Sequence, residues 1–390
     1  MRILEKIRTL VAQDSVLVVS VIAALLSCIA VPPDALYATY FDWHTLVLLF
    51  CLMTVVTGLR FLGVIRMLGE GIVRRIHSRR MIAAVLIALT FCFSMFITND
   101  VALITFVPFA IVVMHRAAMD WYMGPVVALM TIAANLGSML LPMGNPQNLY
   151  LFQMSGMDVA SFILLMAPYT LGSAILLLIA GVLVFRGRKT KDASLSNQDL
   201  SYTQHAPNKT SRIWLYGTMY AVLFVACLGA VINIINVYLV GIVVLVVVLI
   251  ADRKTLLRID YGLLFTFIAL FVFVGNMARI PLIHDAISQL IGSAPVLSSV
   301  VLSQVISNVP TALLLSGFTD QWPALIVGTN IGGLGSLIAS MASIISFKLI
   351  TAEGLVKTGS YLRTFTLYNG AFLVVLLVLY LALSCSGIGA

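Results

Sequence analysis

An all-α, polytopic membrane protein is the fold class the sequence predicts, and three observations carry that expectation. Of 390 residues, 61% are hydrophobic and only 10% are charged, with a mean hydropathy of +1.08. Apolar windows of about 20 residues, enough helix to cross a hydrocarbon core of about 30 Å, recur along the chain. The polar residues inside those windows are grouped, and the groups occur twice in the same order. A soluble chain this long carries about 98 charged residues at the usual 25%, against 23 basic and 15 acidic residues here. That shortage excludes a soluble enzyme, a secreted disulfide scaffold and a disordered chain.

The windows fall at 15–32, 43–65, 121–143, 160–185, 213–232, 237–251, 261–279, 322–346 and 362–383, which makes about nine transmembrane helices. The first follows Arg2, Lys6 and Arg8 in the manner of a signal peptide, but the topology needs it as a retained span. Two further apolar segments, 81–114 and 294–318, are interrupted by Thr98-Asn99-Asp100 and by Ser307-Asn308-Val309-Pro310. The limb from Val101 to Met114 reaches only about 21 Å at 1.5 Å per residue, too short to cross. Both segments are expected to be re-entrant hairpins, tolerated in a membrane where the turn is buried in protein or lines a wet cavity.

With a cytoplasmic N-terminus, every Lys and Arg except Arg279 falls on or beside the cytoplasmic side, as the positive-inside rule requires. The net charge of +8 therefore reads as topology, and no nucleic-acid partner is expected. Trp43, Trp121, Trp214 and Trp322 open spans as interfacial anchors. The five cysteines stand singly, without metal-ligand spacing, and are expected to be small buried apolar residues. The histidines sit at membrane edges or in loops and are given no role.

Two halves emerge, 1–185 and 212–390, joined by a polar cytoplasmic linker at 186–211. Asp42-Trp43 matches Asp260-Tyr261, Thr98-Asn99 matches Ser307-Asn308, and Asn135-Leu136-Gly137 matches Asn330-Ile331-Gly332. An odd number of crossings separates the hairpins, so the repeats are inverted, as in many secondary transporters. The spans at 121–148 and 322–346 are Gly-rich and expected to be broken helices. A broken helix offers free N–H groups and a positive dipole end to an anion, and free carbonyls to a cation.

The polar centre gathers Ser94, Thr98, Asn99, Asp100, Asn135, Gly137, Ser138, Asn145, Gln147 and Asn148 from the first half. The second half supplies Ser303, Ser307, Asn308, Thr311, Thr329, Asn330, Gly332, Gly333, Ser340 and Ser343. Ser94 and Thr98, like Ser303 and Ser307, lie four apart, which puts each pair on one side of a helical limb. With Asn and backbone oxygens from the opposing break, they make an all-oxygen set suited to a hard cation. Asp100 is the one acid expected at mid-membrane, as a cation ligand or a proton carrier. No GxxxxGK[ST] motif is present, so an ion gradient is the expected energy source.

At these residues the chain resembles the ion transporter superfamily, in the citrate-transporter-like group that includes divalent anion:sodium symporters. Arsenite permeases and sodium/proton antiporters are its cousins. The Ser-Asn-Thr motif of the symporters is matched by Thr98-Asn99-Asp100 and Ser307-Asn308-Val309, with Ser94 and Ser303 at the hydroxyl four residues earlier. The Asn-x-Gly break is matched at Asn135 and Asn330, and the Pro-Asn ending is approximated by Asn145-Pro146-Gln147-Asn148.

The resemblance implies sodium held by Ser94, Thr98, Asn99, Asn135, Gly137, Ser303, Ser307, Asn308, Asn330 and Gly332. It implies a small anion substrate, a di- or tricarboxylate, met by Asn99, Asp100, Asn308, Thr311, Ser138 and Gly333. It further implies an inner-membrane homodimer working as an elevator, with the C-terminus outside. Asp100 and Val309 depart from the symporter motif and keep a second reading open, an antiporter or metalloid efflux permease that uses Asp100.

Overall fold

The computed structural model describes residues 15–73, 76, 78–186, 210–352 and 354–386. Among them there are 17 α-helices and no strand, as lipid demands: a helix satisfies its backbone polar groups within one segment. Seven helices are long and apolar enough to span a membrane, eight if one bent pair counts as a single span. Five of the nine expected spans are among them, joined by the two limbs of hairpin one. The other four are α1 (Ser15–Ala30), which is short, the two broken helices, and the helix from Val237, which ends in Asp252, Arg253 and Lys254.

A first group of helices forms an outer frame. α2 (Trp43–Phe61) begins on Asp42, whose carboxylate caps Thr45 N–H at 3.1 Å. α3 (Val64–Val73) is amphipathic, burying Ile65, Gly69 and Val73 on one side, while Arg66 and Glu70 pair at 2.8 Å. In the second half, α9 (Thr210–Val231), α10 (Val237–Leu256) and α11 (Tyr261–Ala278) lead to α12 (Pro281–Ser293). α1 packs on α11, and α2 packs on α9 and α10.

The inner elements are helical pairs and interrupted helices. α4 (Arg79–Ile97) and α5 (Asn99–Arg116) are hairpin one, and α13 (Pro295–Ile306) and α14 (Asn308–Ser316) are hairpin two. The first broken helix is α6 (Asp120–Gly137), a 3-10 turn at Pro142–Gly144 and α7 (Pro146–Ser155). The second is α15 (Trp322–Gly332), a 3-10 turn at Leu337–Ala339 and α16 (Met341–Ala352). α8 (Val159–Arg186) and α17 (Thr358–Cys385), 28 residues each, pack on α6 and on each other.

Four expectations need correction. Hairpin-one limbs are 19 and 18 residues, about 28 and 27 Å, and both reach spanning length. The helices run on through Arg79-Arg80 and from Asn99-Asp100, polar residues that an apolar count leaves out. The first broken helix does not stop at 148: residues 146–155 are its second limb, buried from Pro146 to Phe152, where a loop was expected. α12 was not anticipated, because His284, Asp285, Ser288 and Gln289 dilute its apolar face. Cys92 and Cys385 are exposed and Cys28 is half-buried, leaving only Cys51 and Cys227 in the core. Residues 1–14 and 187–209, most of the linker, lie outside the described residues.

The frame holds a correspondence beyond the matched Asp42 and Asp260. Stepping back from each by the same interval reaches Asp34 and Asp252, and stepping forward reaches Phe61 and Arg279. Arg279 binds Asp34 through both guanidinium arms, at 3.1 and 2.7 Å, and donates to Tyr40 Oη at 3.0 Å. In the other half the positions of Tyr40 and Arg279 are taken by Arg258 and Phe61, and the Arg258 guanidinium lies 4.2 Å from the Phe61 ring centroid. The contact is kept while the cation changes sides. Asp252 breaks α10 with φ −147° and ψ 61° and accepts from Tyr220 and Thr255 hydroxyls at 3.1 and 2.7 Å.

Candidate binding centre

Each hairpin turns on one residue in the left-handed region: Thr98 at φ 70°, ψ 149° and Ser307 at φ 74°, ψ 157°. For a β-branched threonine this conformation is uncommon and costly. Both turns pack against a glycine cradle. A Cβ at Gly137 would run into the Phe91 carbonyl oxygen and Ser94 Oγ, and a Cβ at Gly332 would lie 2.8 Å from Ser303 Oγ. At Gly333 it would lie 2.9 Å from Asn308 Nδ2. Glycine is therefore required here by close approach of hairpin to broken helix.

Six asparagines are buried at or near the breaks and tips: Asn99, Asn135, Asn145, Asn148, Asn308 and Asn330. Asn99 Nδ2 donates to Asn135 Oδ1 at 3.1 Å, and Ser340 Oγ donates to the same oxygen at 3.0 Å. Asn145 Nδ2 donates to Asn330 Oδ1 at 3.1 Å, and Asn330 Nδ2 donates to Asn148 Oδ1 at 2.5 Å. The pattern is reciprocal, since Asn145 and Ser340 hold matching positions after the two 3-10 turns. Each cross-links its own break to the asparagine of the other. Asn135 Nδ2 reaches the Gly333 carbonyl at 3.4 Å, and Ser138 Oγ donates to the Asn135 carbonyl at 2.9 Å.

The structure thus brings together Asn99, Asn135, Ser138, Asn308, Asn330, Gly137, Gly332 and Gly333, along with Ser94 and Ser303 beneath the tips. One expectation about side chains fails locally. Thr98 and Ser307 have left the helix, so the four-residue spacing does not stack them on Ser94 and Ser303. Thr311 Oγ1 donates back to the Ser307 carbonyl at 2.8 Å, as Ser303 Oγ does to the Ser299 carbonyl at 2.7 Å, bonds that leave each hydroxyl oxygen able to accept. Asp100 caps no group with its carboxylate, and its buried Oδ1 has no hydrogen-bond partner. The Ser343 hydroxyl is likewise buried and unpartnered.

Gln304 was missed. Its Nε2 donates to the Gly332 and Leu334 carbonyls at 2.9 Å each, while its Oε1 accepts Ser336 N–H at 2.8 Å. It spans the second break with one amide, and the signal was a lone Gln in the apolar run VVLSQVI. The first half places Met95 there, and its break is held by Asn145 and Asn148 instead.

Four helix C-termini and four N-termini meet around this centre: α4, α6, α13 and α15 end there, and α5, α7, α14 and α16 begin there. N-terminal amides favour anions and C-terminal carbonyls favour cations. Among the described residues, no group of three or more His, Cys, Asp and Glu side chains could hold a metal. The donors present are amides, hydroxyls and carbonyls, whose oxygens fit a hard cation such as sodium by chemistry.

Comparison with known proteins decides the family, because residues 3–321 match the model of the citrate transporter family. The chain belongs to the citrate transporter family. An uncharacterized transporter of Methanocaldococcus jannaschii is 30% identical over 322 residues, covering 82% of this chain and 84% of its own. The inner membrane protein YbiR of Escherichia coli K12 is 30% identical over 317 residues, 79% of this chain and 80% of its own. A 46 kDa membrane protein of Mycobacterium leprae is 22% identical over 355 residues, 82% of each chain. This member of the citrate transporter family is therefore a multi-pass membrane transporter, as its sequence led one to expect.

Proposed function

We propose that the protein is a secondary active transporter of a citrate-like di- or tricarboxylate, driven by sodium or protons. The observation that carries this reading is the reciprocal asparagine lattice at which four helix N-termini and four C-termini converge. Asn99 and Asn308 open the second limb of each hairpin and would meet substrate with side-chain amides and backbone N–H groups. The carbonyl ends beside Gly137 and Gly332, with the Ser94 and Ser303 hydroxyls, would hold sodium. Two inverted repeats, 1–185 and 212–390, would then supply a hairpin-and-broken-helix core that slides as an elevator against a dimeric frame of α1, α2, α9, α10 and α11.

In this scheme the substrate needs no covalent chemistry. Carboxylates replace water with N–H donors at the tips, and bound cations offset their charge. Closure of the tips over the anion moves the loaded core as one body. The test is flux in proteoliposomes, with mono-, di- and tricarboxylates and inorganic oxyanions offered in sodium or choline at two pH values. Uptake of one carboxylate class that stops in Asn99→Ala and Asn308→Ala is the expected result. Normal uptake in both variants would defeat the site assignment.

The unpartnered carboxylate oxygen of Asp100 favours a second reading, in which Asp100 carries the coupling proton of an antiporter or metalloid efflux permease. That reading requires Asp100→Asn to flatten the pH dependence of flux. A pH profile unchanged in Asp100→Asn would remove it.

A further inference from the structure

Along hairpin one, α4 and α8 leave a groove of about 630 Å³. Met81, Ala88 and Cys92 line it from α4, and Ala174, Leu178 and Val182 from α8. Met81 is 57% exposed, Leu178 69% and Val182 67%, so the groove opens on the surface that faces lipid. Gly181 forms part of its floor, and a Cβ built there meets nothing within 4 Å.

The groove is polar at one end only, at Ser78 and Arg80. Phe185, at the same end of α8, packs its ring 4.7 Å from Tyr122, near the start of α6, just after hairpin one closes. Arg80 is exposed, and no acid pairs with it among the described residues. From Arg80 to Cys92 the groove follows α4 for about 18 Å, against about 15 Å for one leaflet of a 30 Å core. A slot one leaflet deep, apolar along its length and cationic at its mouth, has the dimensions and charge of one acyl chain carrying an anionic headgroup.

We propose that this groove binds an anionic glycerophospholipid, with one acyl chain between α4 and α8 and its phosphate at Arg80 and Ser78. The cation suits a phosphate on the leaflet where anionic lipid and Lys/Arg-rich loops meet, and the floor glycine leaves room for the chain. The site holds none of the lattice asparagines, although Phe91 lines it and its carbonyl backs Gly137, and it does not depend on which anion the protein transports.

The experiment is native mass spectrometry of the full-length protein after partial delipidation and titration with phosphatidylglycerol or phosphatidylcholine. Inorganic phosphate alone serves as a headgroup control. The expected result is retention of one phosphatidylglycerol in preference to phosphatidylcholine, with no adduct from phosphate. Arg80→Gln should reduce that preference about fivefold, the factor that about 1 kcal/mol for one basic residue near the surface gives. Gly181→Leu, whose Cβ meets no neighbour within 4 Å and whose branch would extend into the slot, should abolish retention of both lipids. A thermal melt in detergent establishes that each variant is folded. Undiminished retention in folded Gly181→Leu, or an unchanged preference in Arg80→Gln, would overturn the proposal. So would binding of phosphate alone to the same extent.

Discussion

Gly332 offers a test of whether the hairpins and broken helices are locked together as described. A Cβ there would stand 2.8 Å from Ser303 Oγ, 2.9 Å from Ser303 Cβ and 3.1 Å from Val300 Cα. Overpacking of this kind costs about 1–3 kcal/mol, and the gain in helix propensity from Gly to Ala returns at most about 1 kcal/mol. Gly332→Ala should therefore lose about 1–2 kcal/mol. Ser303→Gly removes two of the three contacts, so in the double variant most of the loss should be recovered. The cycle then has a coupling of about 1 kcal/mol or more. In the first half, Gly137→Ala meets the Phe91 carbonyl oxygen as well as Ser94 Oγ. Ser94→Gly cannot move a backbone oxygen, and rescue should be absent.

The assay is reversible unfolding in mixed micelles for the four single and two double variants. Gly370→Ala serves as a control in which nothing lies within 4 Å and stability should hold or rise. Equal coupling in the two cycles, or a Gly332→Ala protein as stable as wild type, would refute the cradle reading.

Asn330 and Asn308 should separate stability from transport. Asn330→Leu strips partners from the Asn145 and Asn148 amides and should cost about 1–3 kcal/mol for each buried group left unpaired. Asn308, which meets the Ser307 hydroxyl only at 3.4 Å, should lose transport as Asn308→Ala with little change in unfolding; a large loss of stability would contradict its placement at the tip. Gln304→Glu sets a carboxylate against the Gly332 and Leu334 carbonyls, so its stability should fall from pH 5 to pH 7 by more than that of wild type. At the frame, hydrogen bonding to Arg279 holds the Asp34 carboxyl below the usual carboxylate range. Its contribution is complete above the unfolded value of about 3.9 and is lost as pH falls through the lower folded value. Melting midpoints from pH 6 to 3 should fall more steeply in wild type than in Asp34→Asn, and parallel curves would rule the pair out as a contributor.

Much of this arrangement was legible because lipid makes buried polarity expensive, so the polar residues of an apolar chain advertise themselves. The hairpin turns at Thr98 and Ser307 and the breaks after Gly137 and Gly332 stand where the sequence puts its matched Asn, Ser and Gly residues. Limb lengths were less legible, since charged ends such as Arg79-Arg80 join a helix without adding to its hydropathy. Side-chain pairing was hidden for a different reason. Asn145 finds Asn330 and Ser340 finds Asn135 across the centre, and such contacts follow from three-dimensional approach. Periodicity within one segment cannot predict them. The stacking of Ser94 on Thr98 failed because the spacing rule assumes that the helix continues, and positive φ at residue 98 ends it.

The exchanged cation of the frame bears on how the two ends of the frame are joined. Tyr40 with Arg279 and Phe61 with Arg258 occupy one contact seen twice, yet no residue of the first pair is retained in the second. The two joins differ in chemistry: Arg279 donates to the Tyr40 hydroxyl, whereas Arg258 lies over the face of the Phe61 ring. α2 and α11 are each buckled at their far ends to the strap that precedes the other. The frame is thus a closed loop of two antiparallel posts, stiff at both ends and open between them. If the core slides as proposed, this frame is its track, and a lesion that loosens one buckle should blur the two end positions of that travel without touching a group proposed to meet the cargo.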